Sequence, residues 1–369
     1  MIPNATLFRK IACVGIQILF TGHDRGEAVF FQVSCSGQDE ASPISPIVVN
    51  KGLKDVSPFP FGASLSINLL KTRVSYRDVV TKEFNSLTAE NAMKIGPIHP
   101  AENTFFWSDA DYLMNFAKSL GIRVHGHTLI WHNSLPSWVT NFQGDAAAWE
   151  NLFKTHIQTV VAHFKGSITS WDVVNEAFND DGTLRNTIWL QHLGNDYVAR
   201  AFRYAHEADP EALLFYNEYG HEYSSAKRTA VNTMVTDFKT RGIPIHGLGL
   251  QMHTNSAQSD ANLATAINTA AQTGLKIHIS ELDISLNKDN NQSLTLTDPL
   301  SALQATKYKW IVKTFAALPA AQRYGITTWN VGDADSWILS TYKRPDWPLP
   351  FDYNYNRKPA YQGILDGLK

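Results

Sequence analysis

Two glutamates close apolar, strand-like runs. Glu176 ends the run from Ser170, and Glu281 ends the run from Ile277. A carboxyl at the end of a buried strand is held rigidly yet still faces the mouth of the fold. Two such carboxyls turned on one cleft are the minimum equipment for breaking a glycosidic bond, one protonating the leaving oxygen and the other attacking carbon or activating water. Similar run ends carry Glu90, Asn91 and Lys94; His127, Trp131 and His132; Asn217 and Tyr219; Gln251 and His253; and Trp329 with Trp337. That mixture suits a sugar, whose hydroxyls need donors and acceptors and whose C–H faces stack on indoles.

The runs that must position these residues are short and nearly continuous in apolar side chains: 59–65, 83–87, 123–130, 168–175, 212–217, 247–252, 276–281 and 324–329. Such runs are expected of parallel strands covered on both faces. Helical patterns lie between them. Trp149, Leu152, Phe153, His156, Ile157, Val160, Val161 and Phe164 form one stripe, with Asp145 as cap and Gly166 as stop. Asp298 and Pro299 read as N-cap and first residue of another helix, and 109–120 and 197–206 also suit helices. Eight strand–helix units predict an α/β fold, a single (β/α)8 TIM barrel whose active site lies at the C-terminal ends of the strands. An open doubly wound sheet would advertise a Gly-rich phosphate loop, which is absent from the sequence.

Composition narrows the function. Among 369 residues, 32 are basic and 34 acidic, giving a net charge of −2 with no basic stripe, which argues against nucleic acid as a partner. Cys13 and Cys35 both precede the folded body, so that body has no disulfide, cysteine zinc site or cysteine nucleophile. His125 and His127 would share one face of a strand and, with His132, could be read as metal ligands, but no cluster of carboxylates accompanies them. No metal or cofactor is expected. Residues 1–57 read as a leader and 58–369 as the catalytic domain. Arg9 and Lys10 precede a short apolar run, as in a secretory signal, and the residues around Cys35 resemble a bacterial lipoprotein cleavage site, though those before it fit poorly. Residues 39–57, rich in Ser, Pro and Lys, read as a linker. The expectation is a secreted or extracytoplasmic monomer, with no membrane partner beyond such an N-terminal anchor.

The stretches from Trp171 to Ala177, Gly126 to His132, Glu90 to Lys94 and Ser280 to Asp283 resemble signatures of glycoside hydrolase family 10, the endo-β-1,4-xylanases. So do Phe351-Asp352, 354–356 and 358–361. The resemblance covers about residues 58–369 and implies a retaining double displacement on xylan or xylo-oligosaccharides. Glu281 would be the nucleophile and Glu176 the acid/base, about 5–5.5 Å apart. It further implies that His253 bonds the nucleophile and Asp283 orients that histidine, while Asn175 holds the sugar 2-hydroxyl. Glu90, Asn91, Lys94, His127 and Gln251 would line the glycone side, Trp131, Trp329 and Trp337 would wall the cleavage subsite, and Asn217 and Tyr219 would lie toward the leaving group. The chain departs from the family pattern at Glu218 (usually aspartate), Ser134 (usually glutamine) and Ile338 (usually arginine), and 339–350 looks longer than usual. The competing readings are another (β/α)8 retaining β-glycosidase, such as a β-1,4-glucanase, and a sugar-binding barrel without catalysis.

Overall fold

Apolar strands that need cover on both faces obtain it when each strand is followed by a helix. The computed structural model describes residues 51–369, and there this pattern closes on itself. The strands are β1 (Phe61–Leu65), β2 (Ser86–Ala89), β3 (Arg123–Ile130), β4 (Ser170–Asn175), β5 (Leu213–Glu218), β6 (Gly247–Leu250), β7 (His253–Asn255), β8 (Lys276–Ser285) and β9 (Arg323–Thr328). Each neighbouring pair runs parallel, and β1 pairs with both β2 and β9, which completes a (β/α)8 barrel. β6 and β7 are two segments of one stave, since both pair with the ten-residue β8. The break falls at Gln251 and Met252, where Met252 has φ 61°.

The outer layer includes helices Val74–Glu83, Ser108–Leu120, Ala146–His163, Tyr197–Ala208, Ser225–Thr240, Asp260–Ala271, Asp298–Ala316 and Pro359–Gly367. The stripe from Trp149 to Val161 is buried, and the Asp145 carboxylate accepts from the Ala148 amide at 2.9 Å. Gly166, at φ 73°, lies just past that helix.

Several boundaries differ from expectation. Thr297 is the N-cap of the helix that begins at Asp298. The second strand begins at Ser86 rather than Glu83, because Glu83 ends a helix and turns its carboxylate inward. Residues 53–57 are not linker: Leu53–Val56 form a helical turn with Leu53 fully buried. Arg9, Lys10, the apolar run after them, Cys13 and Cys35 lie outside the described residues. Among the described residues, no helix is long and apolar enough to cross a membrane.

Glu83 ties the two ends of this unit together. Its Oε2 accepts from the Leu53 amide at 2.9 Å and the Tyr361 hydroxyl at 3.0 Å, and its Oε1 accepts from Arg357 at 2.7 Å. Glu83→Ala removes a buried acceptor from three donors and is expected to cost roughly 2–4 kcal/mol. A lowered midpoint in urea denaturation checks this; an unchanged midpoint contradicts it.

Candidate active site

Local irregularities aim the key side chains. The pairing of β4 with β5 shifts register between Asp172 and Val174, and that of β8 with β9 shifts between Ile279 and Leu282. A bulge switches the face that later residues occupy. Asp172 and Asn175 therefore serve one interior although they are three apart, and so do the adjacent Ser280 and Glu281. Immediately after β4, Glu176 takes a left-handed backbone with φ 61°, and its amide donates to the Asn217 carbonyl at 2.9 Å. For a residue with a Cβ that conformation costs about 1–2 kcal/mol, so surrounding bonds must hold it.

Glu176 and Glu281 line one cleft of about 600 Å³. An amide relay joins them. The Gln251 side-chain amide donates to Glu176 Oε1 at 2.9 Å and to Asn175 Oδ1 at 3.1 Å. The Asn217 amide donates to the same Asn175 oxygen at 2.9 Å and to Glu281 Oε1 at 2.7 Å. Ser280 then donates its hydroxyl to Asn217 Oδ1 at 2.6 Å, which fixes the orientation of that amide. Gly249 leaves the necessary room, since a Cβ there would lie 2.1 Å from Asn217 Oδ1.

On its other oxygen, Glu281 meets His253 Nε2 at 3.0 Å. His253 Nδ1 bonds Asp283 Oδ2 at 2.7 Å, and the Trp337 indole donates to that oxygen at 2.8 Å. Burial disfavours a charged His253, but Asp283 and Glu281 outweigh it and raise its pKa well above the ordinary imidazole value. Burial likewise pushes the Glu281 carboxyl up. The His253 hydrogen bond and the charges of His127 and His253 overcome this against Asp172, so the pKa ends below the usual carboxylate value. His127 is itself held by Asp172, which also contacts His125 at 3.0 Å.

The glycone and wall residues expected from the sequence gather here: Glu90, Asn91, Lys94 and His127, with Trp131, Trp329 and Trp337. The Lys94 amine sits 5.0 Å from the Trp131 ring and 5.9 Å from the Trp329 ring. Burial lowers its pKa, opposed by the charges of Glu281, Glu90 and Glu176. Tyr219 also lines the cleft, its hydroxyl bonded to Arg185 at 2.8 Å.

Asn217 requires a correction. It is fully buried and does not line the cleft, because its amide is committed to Glu281, Asn175 and Ser280. Ile338 is also buried and does not line the cleft.

Sequence reasoning missed several residues. Asp172 contacts both His125 and His127, and of the two histidines His127 also lines the cleft. His132, which the sequence did place at a run end, lies 4.0 Å from Glu176. Half-exposed Tyr223 and Tyr342 line the cleft with Ser340 and Thr341. The unusual length of 339–350 was the available signal for Ser340, Thr341 and Tyr342.

A family model described as glycosyl hydrolase family 10 matches residues 50–367. The endo-β-1,4-xylanase Xyn10C of Cellvibrio japonicus is 37% identical over 348 residues, covering 86% of this chain and 57% of that protein. The chain thus spans about half the length of such curated relatives. The crystal structure of native xylanase 10B from Thermotoga maritima superposes with a TM-score of 0.80 at 35% identity, covering 86% of this chain and 98% of that one. A variant of xylanase 10C from Cellvibrio japonicus in complex with xylopentaose gives 0.82 at 36% identity, covering 86% of this chain and 69% of that one.

The His253 bond has a measurable sign. It favours the ionised form of Glu281, so His253→Ala is expected to move the titration of that carboxyl to higher pH. Carbon-13 NMR of labelled glutamate reads the shift; a midpoint that stays in place or falls contradicts the assignment.

Proposed function

Since the chain belongs to glycosyl hydrolase family 10, we propose that it is an endo-acting β-1,4-xylanase working by retaining double displacement, with Glu281 as nucleophile and Glu176 as acid/base. The observation that carries the reading is the unequal footing of two carboxyls in one cleft. Glu281 has 6% side-chain exposure and two charge-stabilising donors, His253 and Asn217, whereas Glu176 has 13% exposure and amide donors from Gln251 and Asn175. Unequal surroundings are how two like groups take opposite protonation roles.

In the first step a Glu281 oxygen forms a bond to the anomeric carbon while the bond from that carbon to the leaving oxygen breaks. The leaving oxygen takes its proton from Glu176. Glu281 loses its negative charge in the ester, and Glu176, now a carboxylate, can deprotonate water. Water oxygen then attacks the same carbon, the ester bond breaks, and Glu281 regains its charge. Through this cycle Asp283 keeps His253 oriented toward Glu281. Asn175 lies between the two carboxyls in the relay, which supports a contact to the sugar 2-hydroxyl.

Lys94 offsets the three carboxylates nearest it and adds a donor on the glycone side. The walls formed by Trp131, Trp329 and Trp337 support a preference for xylose, which lacks the hydroxymethyl arm of glucose. Work outside the cytoplasm belongs to the same reading, supported by the charged and apolar pattern of residues 9–37.

Reducing-sugar release from xylan and from carboxymethyl-cellulose tests the substrate. Rapid release of mixed oligosaccharides from xylan is expected, with little from the cellulose derivative; the reverse ranking overturns the assignment. Glu281→Gln is expected to reduce turnover by several orders of magnitude while calorimetric binding of xylo-oligosaccharides stays nearly intact. A near-native rate contradicts the nucleophile role.

A further inference from the structure

Glu218 lies one residue beyond Asn217 and so points out of the barrel, into the layer between strand and helix. It is fully buried. Its Oε2 accepts from the Phe178 amide at 3.1 Å and the Tyr216 hydroxyl at 2.7 Å. The Tyr216 hydroxyl in turn accepts from the Ala177 amide at 2.9 Å. Both peptide N–H groups that follow Glu176 therefore end on this carboxylate, one directly and one through the phenol. The other oxygen accepts from Lys227 Nζ at 3.3 Å, and Lys227 also reaches Asp180 at 2.9 Å.

The front of the same segment is held by Arg185. Its Nε donates to the Glu176 carbonyl at 3.1 Å and its Nη2 to the Phe178 carbonyl at 3.1 Å. The backbone just after the left-handed Glu176 is thus gripped from two sides, by a guanidinium on its carbonyls and a carboxylate on its amides.

We infer that Glu218 is a positioning residue for Glu176, holding the Ala177–Phe178 backbone so that the acid/base carboxyl keeps its aim at the leaving oxygen. The inference rests on the acid/base reading of Glu176. It also gives the departure from the family's aspartate a physical meaning, because a side chain one methylene shorter sits farther from both the Phe178 amide and Lys227. The charged and titratable groups around Glu218 are Lys227 on helix Ser225–Thr240, Tyr197 on helix Tyr197–Ala208, Arg185 and Tyr223 on loops, Tyr216 and Tyr219 nearby in the chain, and Glu176 itself. Burial, against the pull of Lys227, raises the pKa of Glu218 to about 7. A neutral carboxamide is therefore a tolerable replacement.

The test uses leaving-group dependence, which a general loss of structure does not alter. Glu218→Gln and Tyr216→Phe are compared with the parent on xylotetraose, whose leaving group needs a proton, and on dinitrophenyl β-xylobioside, whose leaving group does not. Both variants are expected to lose about tenfold to a hundredfold in kcat/KM on xylotetraose, the scale of a small misplacement of a catalytic group, and less than about threefold on the aryl glycoside. Equal losses on the two substrates, or none on either, overturn the inference. If Glu218→Gln fails to fold by circular dichroism, Tyr216→Phe, which removes a hydroxyl and no charge, decides alone. Glu176→Ala measured beside them separates the two readings. If that variant lacks leaving-group dependence, the acid/base role fails and the positioning role with it; if it shows the dependence while the others do not, the positioning role alone fails.

Discussion

Keeping an ionised carboxylate inside a barrel mouth is the constraint that organises this protein. A buried anion is costly unless it is paired and hydrogen-bonded. Glu281 meets that condition through His253 on one oxygen and Asn217 on the other. Each donor has its own requirement. His253 needs Asp283, which Trp337 also holds; Asn217 needs Ser280 and the open space over Gly249. β5, β6, β7, β8 and the segment after β9 thus all answer to one carboxylate.

Charge balance sets the rest of the cleft. Glu90, Glu176 and Glu281 are gathered there, offset by Lys94 and by His253, whose pKa Asp283 and Glu281 raise. Lys94 is buried beside two tryptophan rings, so its charge is little screened by water and acts strongly on its neighbours. The same indoles supply flat apolar walls. In the proposed reaction, charge moves from Glu281 to Glu176 as the ester forms, within a network whose members are already hydrogen-bonded. Little reorganisation is then needed.

Much of this was legible in the sequence, and the reasons are specific. Glu176 and Glu281 end apolar runs, and the run-ending rule of a parallel barrel put Lys94, His127, Gln251, His253 and the tryptophans on the same rim. What escaped depended on bulges and on depth. Strict alternation cannot place Asp172 and Asn175 on one interior, nor Ser280 beside Glu281, because the register shifts that do so leave no mark in residue type. Asn217 looked like a substrate contact since it ends a strand, but its amide is consumed beneath the nucleophile. Leu53 looked like linker since its neighbours are polar, although the Glu83 carboxylate, 30 positions on, gives its amide an acceptor.

In the proposed reaction Glu281 forms a covalent bond to the sugar while held by these donors. The most direct measurement is mass spectrometry of the protein after incubation with dinitrophenyl 2-deoxy-2-fluoro-β-xylobioside, followed by peptide mapping. One fluoro-xylobiosyl group carried by Glu281, with native cleavage of xylan giving β-configured reducing ends, is the expected result. An adduct on Glu176, or α-configured product with no adduct at all, would contradict the account.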